Sequence, residues 1–250
     1  INDYDVIFFQ ETWLLTPVAF TGFTIYCNPA VASKAGRHSG GLMIWIKNQI
    51  IAKSHMIPIP SSDLLGVKLF LASGTRLFLV NIYNRSVPLN SSSPTFDLLD
   101  ELLTSNKDWR SSPLIIGGDL NCLFEPLNGL SSLLDDEDQA CNISLLNSDT
   151  FAKLTKLALQ IFLFTAFHGL RACNGRSSSD SPRAPTFKRA QYENTIDFFL
   201  LDIKSWDHLD DMFVISRPES DHDPLILIFK TTDPLPPPTD FYCDRSESVV

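Results

Sequence analysis

The sequence has no C-x-x-C pair, no long apolar run and little positive charge. Its five cysteines, Cys27, Cys122, Cys141, Cys173 and Cys243, are odd in number and scattered over 250 residues. That spacing points to neither a zinc site nor a disulfide framework. A reduced, intracellular chain is the simplest reading. The most apolar window, Leu157 to Phe167, is too short to span a bilayer, so no membrane segment is expected. The opening residues INDYDVIFFQ show no basic start and no cleavage site, which argues against a signal peptide. A strand begins there almost at once with no initiator Met, as expected of a piece of a longer chain. Lysine and arginine total 20 against 29 acids, for a net charge of −9. This balance weighs against nucleic-acid binding over the whole surface but leaves room for a local basic groove.

What is present is a succession of short apolar runs. DVIFFQET, GGLMIWIKN (Gly40 to Asn48), PLIIGGDLN, TIDFFLL, MFVIS and PLILIF read as strands. LLGVKLFLASGTRLFLVNIYN divides at Ser73-Gly74 into two strands of a hairpin. FLFTAF and PTF are expected to be strands too. Two stretches change period. In SSSPTFDLLDELLTSNKDW, Phe96, Leu99 and Leu103 share a helical face, with Ser93 as N-cap and Pro94 at the first helical position. In NSDTFAKLTKLALQI, Phe151, Leu154, Leu157 and Ile161 form one stripe. No internal repeat is found. Many strands with few helices imply packed sheets with helices outside. One domain is expected over residues 1–232, and the Pro-rich, charged residues 233–250 read as a linker.

Polar side chains recur where these strands stop. Glu11 closes the first strand and Tyr83 another, while Asp119 and Asn121 follow Gly-Gly. The two glycines would let backbone and ligand approach closely. Asp197 lies inside an apolar strand, where a carboxylate needs a partner. Asp221 and His222 precede the last apolar run, and His222 could be that partner. Singly, each has a bland reading: a turn, a solvated cap, a structural histidine. Their order carries more information.

Q-E-T-W, R-x-S-G-G, N-x-Y, G-G-D-x-N, P-T-F, I-D-F and S-D-H, in that sequence, resemble the endonuclease/exonuclease/phosphatase superfamily. Within it the chain is most similar to the endonuclease domain of LINE-type (non-LTR) retrotransposons, relatives of abasic-site endonucleases. The resemblance covers residues 5–230. The R-x-S-G-G of Arg37 to Gly41 favours the retrotransposon branch. It implies a four-layer α/β sandwich like DNase I and exonuclease III, with two packed mixed sheets flanked by helices. It also implies an Asn-bearing strand ahead of Q-E-T-W that this sequence does not contain.

The activity implied is hydrolysis of a phosphodiester with magnesium, or manganese, as cofactor; such hard cations take oxygen ligands and keep several waters. Glu11 is the implied principal metal ligand and Asp221 a second. Asp119 would orient or deprotonate the attacking water, with Asn121 holding phosphate or Asp119. His222, its tautomer fixed by Asp197, would contact the scissile phosphate or assist proton transfer. Tyr83 would donate to a phosphate oxygen or stabilise the leaving group. Arg37, Ser39, Arg183, Thr186, Phe187 and Lys188 are the implied DNA contacts, the last four in or beside a loop rich in arginine.

The partners implied are DNA and a downstream reverse-transcriptase domain, with action in the nucleus. Two other classes stand beside this reading. One is a phosphoesterase of the same superfamily acting on inositol phosphate, sphingolipid or RNA. The other is an inactive remnant of an element that binds nucleic acid.

Overall fold

The apolar runs become strands that bury both faces, which only a layered arrangement permits. The computed structural model describes residues 3–32, 36, 38–88, 91–122, 155–181 and 183–230. β1 (Val6–Phe9), β2 (Phe23–Asn28) and β3 (Leu42–Lys47) form an antiparallel sheet with β3 in the middle. A larger sheet is built from β4 (Ile51–Ile57), β5 (Leu64–Leu71), β6 (Arg76–Tyr83), β7 (Leu114–Asp119) and β8 (Leu170–Ala172). After the hairpin of β9 (Phe187–Arg189) and β10 (Tyr192–Asn194), β11 (Asp197–Asp202) joins it as the sixth strand. The order is β4-β5-β6-β7-β11-β8. β6 and β7 are parallel, and their neighbours run antiparallel. β12 (Leu209–Val214) pairs with β13 (Leu225–Phe229).

β6 shows how period two divides the cores. Phe78, Val80 and Ile82 face one cluster, while Leu77 and Leu79 face another. The first cluster lies between the six-stranded sheet and two helices. α1 (Pro94–Ser105) contributes Phe96, Leu99 and Leu103, and the Ser93 hydroxyl accepts from the Thr95 and Phe96 amides as the expected N-cap. Truncating Leu99, fully buried, would cost about 2–5 kcal/mol, the usual range for such a cavity. The second cluster lies between the sheets. It joins Leu42, Ile44 and Ile46 of β3 and Met212 of β12 to Leu65, Val67 and Leu69 of β5. This is the α/β sandwich of packed sheets and flanking helices that the sequence implies.

Two expectations change. FLFTAF is not a strand: it completes α2 (Lys156–His168), which Thr155 caps at the start and Gly169, at φ +63°, ends. Leu157, Ile161, Phe164 and His168 are buried at helical spacing, whereas Leu163 and Phe167 are exposed four apart. The run is apolar all round, so its period was hidden. Of the expected stripe, Phe151 and Leu154 lie outside the described residues. PLILIF is a strand buried mainly on one face: Leu225, Leu227 and Phe229 pack on the second cluster, and Ile228 is exposed.

α3 (Ile203–Trp206) follows β11, with the Asp202 carboxylate accepting from the Ser205 amide. Cys27, Cys122 and Cys173 carry thiols outside any disulfide; Cys141 and Cys243 lie outside the described residues, as does the expected linker. Among the described residues no helix is long and apolar enough to cross a membrane.

Candidate active site

The parallel pairing of β6 with β7 brings Tyr83 opposite Asp119. The antiparallel pairing of β7 with β11 brings Asp119 opposite Asp197. Three polar side chains therefore stand in one row across three adjacent strands, on one face of the sheet. Two glycines make the close approach possible. Gly118 has φ +144°, and a Cβ there would lie 2.0 Å from the Ile82 carbonyl oxygen. A Cβ on Gly117 would meet the Phe199 and Phe8 rings at 2.6 and 3.0 Å. The glycines thus admit the close backbone approach expected of them, here the neighbouring strand, together with two aromatic rings.

Asp119 and Asp197 are both buried. The Asn121 amide nitrogen donates to Asp119 Oδ1 at 2.8 Å and its Nδ2 to Oδ2 at 3.0 Å. Holding Asp119, one of the two roles expected for Asn121, is present. Asn121 adopts φ +46°, a left-handed backbone that asparagine tolerates better than most residues. Burial, then the charge of Asp197, raises the Asp119 pKa to about 7, and Glu11 adds to the rise.

His222 supplies the counter-charge. Its Nδ1 lies 3.1 Å from Asp197 Oδ2 and 3.2 Å from Oδ1, the predicted pairing. The hydrogen bond to Asp197 leads the effects that raise the His222 pKa to about 9, with the charges of Asp197, Asp119 and Asp221 adding to it. Asp197 thus favours the cationic form of the imidazole. The Phe187 ring meets it edge-on, with centroids 5.1 Å apart.

Glu11 and Trp13 both hold left-handed backbone, at φ 50° and 54°. Such strain in non-glycine residues gathers at functional sites. The Trp13 indole donates to Glu11 Oε2 at 2.5 Å. Glu11 lies beside the Tyr83 hydroxyl, and burial followed by the Glu11 charge pushes that phenol well above its usual range. Tyr83 remains a protonated donor.

Asp119, Asp197 and His222 bring their ligand atoms within 4.8 Å of one another. The expected ligands Glu11 and Asp221 are not in that group, although Glu11 is near enough to affect Asp119, and Asp221 to affect His222. Within that group the His222 Nδ1 faces Asp197. Glu11 and Asp119 offer carboxylate oxygens of the kind a hard divalent ion takes, and the burial and neighbouring negative charge that raise the Asp119 pKa are what such an ion would offset.

The expected DNA-contacting residues divide. Ser39 is exposed, its hydroxyl accepting from Arg85 at 2.8 Å. Arg37 lies outside the described residues. Thr186 is fully buried, and its hydroxyl accepts from the Ile196 and Asp197 amides. It is a latch on the Asp197 strand, not the surface contact expected. The Lys188 ammonium pairs with the buried Asp223 at 2.7 Å. With the amide bonds Lys188 to Asp221 and Asp223 to Thr186, this ties β9 to the S-D-H segment. Arg183 lies over the Phe198 ring, and Phe187 on His222.

Several residues of the site are given no role by the sequence, among them Asn81, although it opens the N-x-Y motif. Asn81, fully buried, donates to the carbonyls of Phe9 and Met43 and accepts from Gln10, joining β6 to β1 and β3. Asn84 bonds the backbone at both Asp119 and Leu120. Asn174 Nδ2 donates to the Asp197 carbonyl. A polar residue in the middle of an apolar strand, as at Asn81, is the signal that could have found the first.

The sequence profile of the Endonuclease/Exonuclease/phosphatase family matches residues 1–222. The chain belongs to that family. Solved structures with the same fold include the endonuclease domain of TRAS1, a telomere-specific non-LTR retrotransposon. It is 16% identical with a TM-score of 0.60, covering 92% of this chain and 87% of that one. The AP endonuclease LMAP from Leishmania major is 15% identical with a TM-score of 0.65, over 92% and 79%. The 3′ phosphatase NExo from Neisseria, bound to a product DNA hairpin, is 16% identical with a TM-score of 0.58, over 91% and 89%. At these identities the likeness concerns the fold. No curated protein sequence matches. Membership of that family supports a hydrolytic enzyme.

Proposed function

We propose that this protein is a divalent-metal-dependent endonuclease that hydrolyses phosphodiester bonds of DNA, nicking a target strand so that a reverse-transcriptase domain of the same polyprotein can prime from it. The observation that carries the reading is the row Tyr83–Asp119–Asp197, with His222 paired to its last member. The R-x-S-G-G segment and the fold shared with the TRAS1 endonuclease domain support the retrotransposon role, and with it action in the nucleus.

Glu11 would hold the cation, with Asp221 as a second ligand reached directly or through water and Asp119 beside it. Magnesium or manganese bound there supplies Lewis-acid neutralisation of charge on the phosphate oxygens. The chain's own groups do the rest. Asp119 Oδ1 and Oδ2, fixed by Asn121, orient the attacking water and accept its proton. The His222 imidazolium, held by Asp197 through Nδ1, turns Nε2 to a phosphate oxygen and donates to it as charge develops. Tyr83, kept protonated, donates its hydroxyl to a second oxygen or to the leaving group.

A plasmid-nicking assay run beside phosphate release from inositol phosphates tests this. Relaxation of supercoiled DNA with no release of inorganic phosphate is expected. Release of phosphate from inositol phosphates without nicking would assign the same chemistry to a different substrate.

A further inference from the structure

Between the R-x-S-G-G loop and the strand end carrying Glu11 lies an ion pair that the mechanism does not use. Arg85 presents Nε and Nη2 to the two carboxylate oxygens of Asp63 at 2.7 and 2.8 Å. This is the bidentate fork in which arginine is strongest and lysine cannot substitute. Its remaining nitrogen, Nη1, donates to the Ser39 hydroxyl at 2.8 Å.

Both ends of this pair lead into the site. The Asp63 carbonyl accepts from the Tyr83 amide at 3.0 Å, and the Arg85 guanidinium lies 5.8 Å from the Tyr83 ring centroid. On the other side, Gly40 and Gly41 follow Ser39 directly. The Gly40 carbonyl accepts from the Trp13 amide at 3.0 Å, and that of Gly41 from the Thr12 amide at 3.2 Å. Trp13 in turn donates its indole N–H to Glu11. The glycines are needed for this packing: a Cβ on Gly40 would lie 2.8 Å from Arg85 Nη2, and one on Gly41 2.4 Å from the Thr12 hydroxyl. Both have positive φ, at +76° and +97°. An unbroken run of contacts therefore leads from Asp63 through Arg85, Ser39 and Gly40 to Trp13 and Glu11.

We propose that Arg85 is a positioning residue which, locked by Asp63, clamps the Ser39–Gly41 loop onto the left-handed turn at Glu11–Trp13 and so fixes the Glu11 carboxylate. The proposal rests on the endonuclease reading, in which Glu11 holds the cation. It assigns the S-G-G half of the motif to the architecture of the site. The left-handed turn is a strained conformation that must be held by its surroundings, and this clamp is what holds it.

The test uses the full chain and Arg85→Lys, which keeps the charge and loses the fork. Amide hydrogen exchange at Thr12 and Trp13 is expected to quicken about tenfold, the size of one lost charge-assisted hydrogen bond, while exchange at Leu79 in the central sheet stays unchanged. In nicking, kcat should fall about as much, with KM within about twofold of wild type. Ser39→Ala added to Arg85→Lys should cost little more, because the two act through one contact. Unchanged exchange at Thr12 and Trp13 would overturn the clamp, and so would a rise in KM alone, which would make Arg85 a substrate contact. If the wild type does not nick, the endonuclease reading fails, and the exchange result still decides whether the clamp exists.

Discussion

Asp119 and Asp197 stand directly opposite each other across β7 and β11, two buried carboxylates on adjacent strands. Like charges so placed repel, and the fold holds them together with Asn121 on one and His222 on the other. The way this repulsion is relieved governs how the site responds to pH and to substitution.

Asp119→Asn should stabilise the metal-free protein at pH 8 while abolishing nicking. The folded pKa is raised to about 7 from an unfolded value of about 3.9. The folded state therefore keeps a proton that the unfolded state gives up, and stability falls as pH rises through that window. Thermal melts at pH 4 and pH 8 without divalent cation check this: the advantage of the variant should be small at pH 4 and full at pH 8. An advantage that does not change with pH would show that the two carboxylates do not repel as described.

Asp197→Asn should act on His222. With the carboxylate gone, the His222 pKa should fall from about 9 towards the unperturbed value of about 6.5. The sign is opposite to that of an ordinary salt-bridged acid. A raised imidazole contributes stability that is complete below about 6.5 and is lost as pH rises through about 9. NMR titration of the imidazole reads the shift, and the alkaline limb of the nicking profile should move down with it. An imidazole that titrates as in wild type would break the assigned pair.

Asn121 can be probed by two replacements. Asn121→Gly keeps the left-handed backbone and the backbone N–H bond to Asp119 Oδ1 but loses the Nδ2 bond to Oδ2; Asn121→Ala loses the same bond and adds strain of about 1–2 kcal/mol. Both should nick about tenfold more slowly, the size of one lost hydrogen bond to a charged group, because Asp119 is then held by the backbone amide alone. The glycine variant should melt higher than the alanine variant. The reverse order of melting temperatures would show that φ at 121 is not held as described.

The legibility of these features in the sequence varied with their physics. Tyr83, Asp119 and Asp197 could be found because each interrupts or ends an apolar run, where a polar group has to be explained. The pairing of Asp197 with His222 followed from the same rule, since a buried acid needs a partner. α1 was legible from Ser93, Pro94 and its periodic leucines. α2 was not fully so, because phenylalanines on all sides of Ile161–Phe167 erase the helical period and mimic a strand. Arg85 and Asp63 were invisible for a different reason. They lie 22 residues apart, and nothing local marks either one; only the pairing of β5 with β6 brings them together. The Thr186 hydroxyl and the Lys188 ammonium stand among the implied DNA contacts because the sequence does not show their partners, the Asp197 strand and Asp223.

The proposed mechanism stands or falls on Asp119 acting with a cation, at this row of residues, to cut DNA. The conversion of supercoiled plasmid to open circle reads that step directly, with wild type and Asp119→Ala compared at equal folded fraction and magnesium titrated back after exhaustive chelation. Wild type should be silent in chelator and recover with added magnesium. The variant should stay at least about a hundredfold slower throughout, the cost of losing a general base. Nicking by wild type that continues undiminished in chelator, or a variant that matches wild type once magnesium is restored, would contradict it.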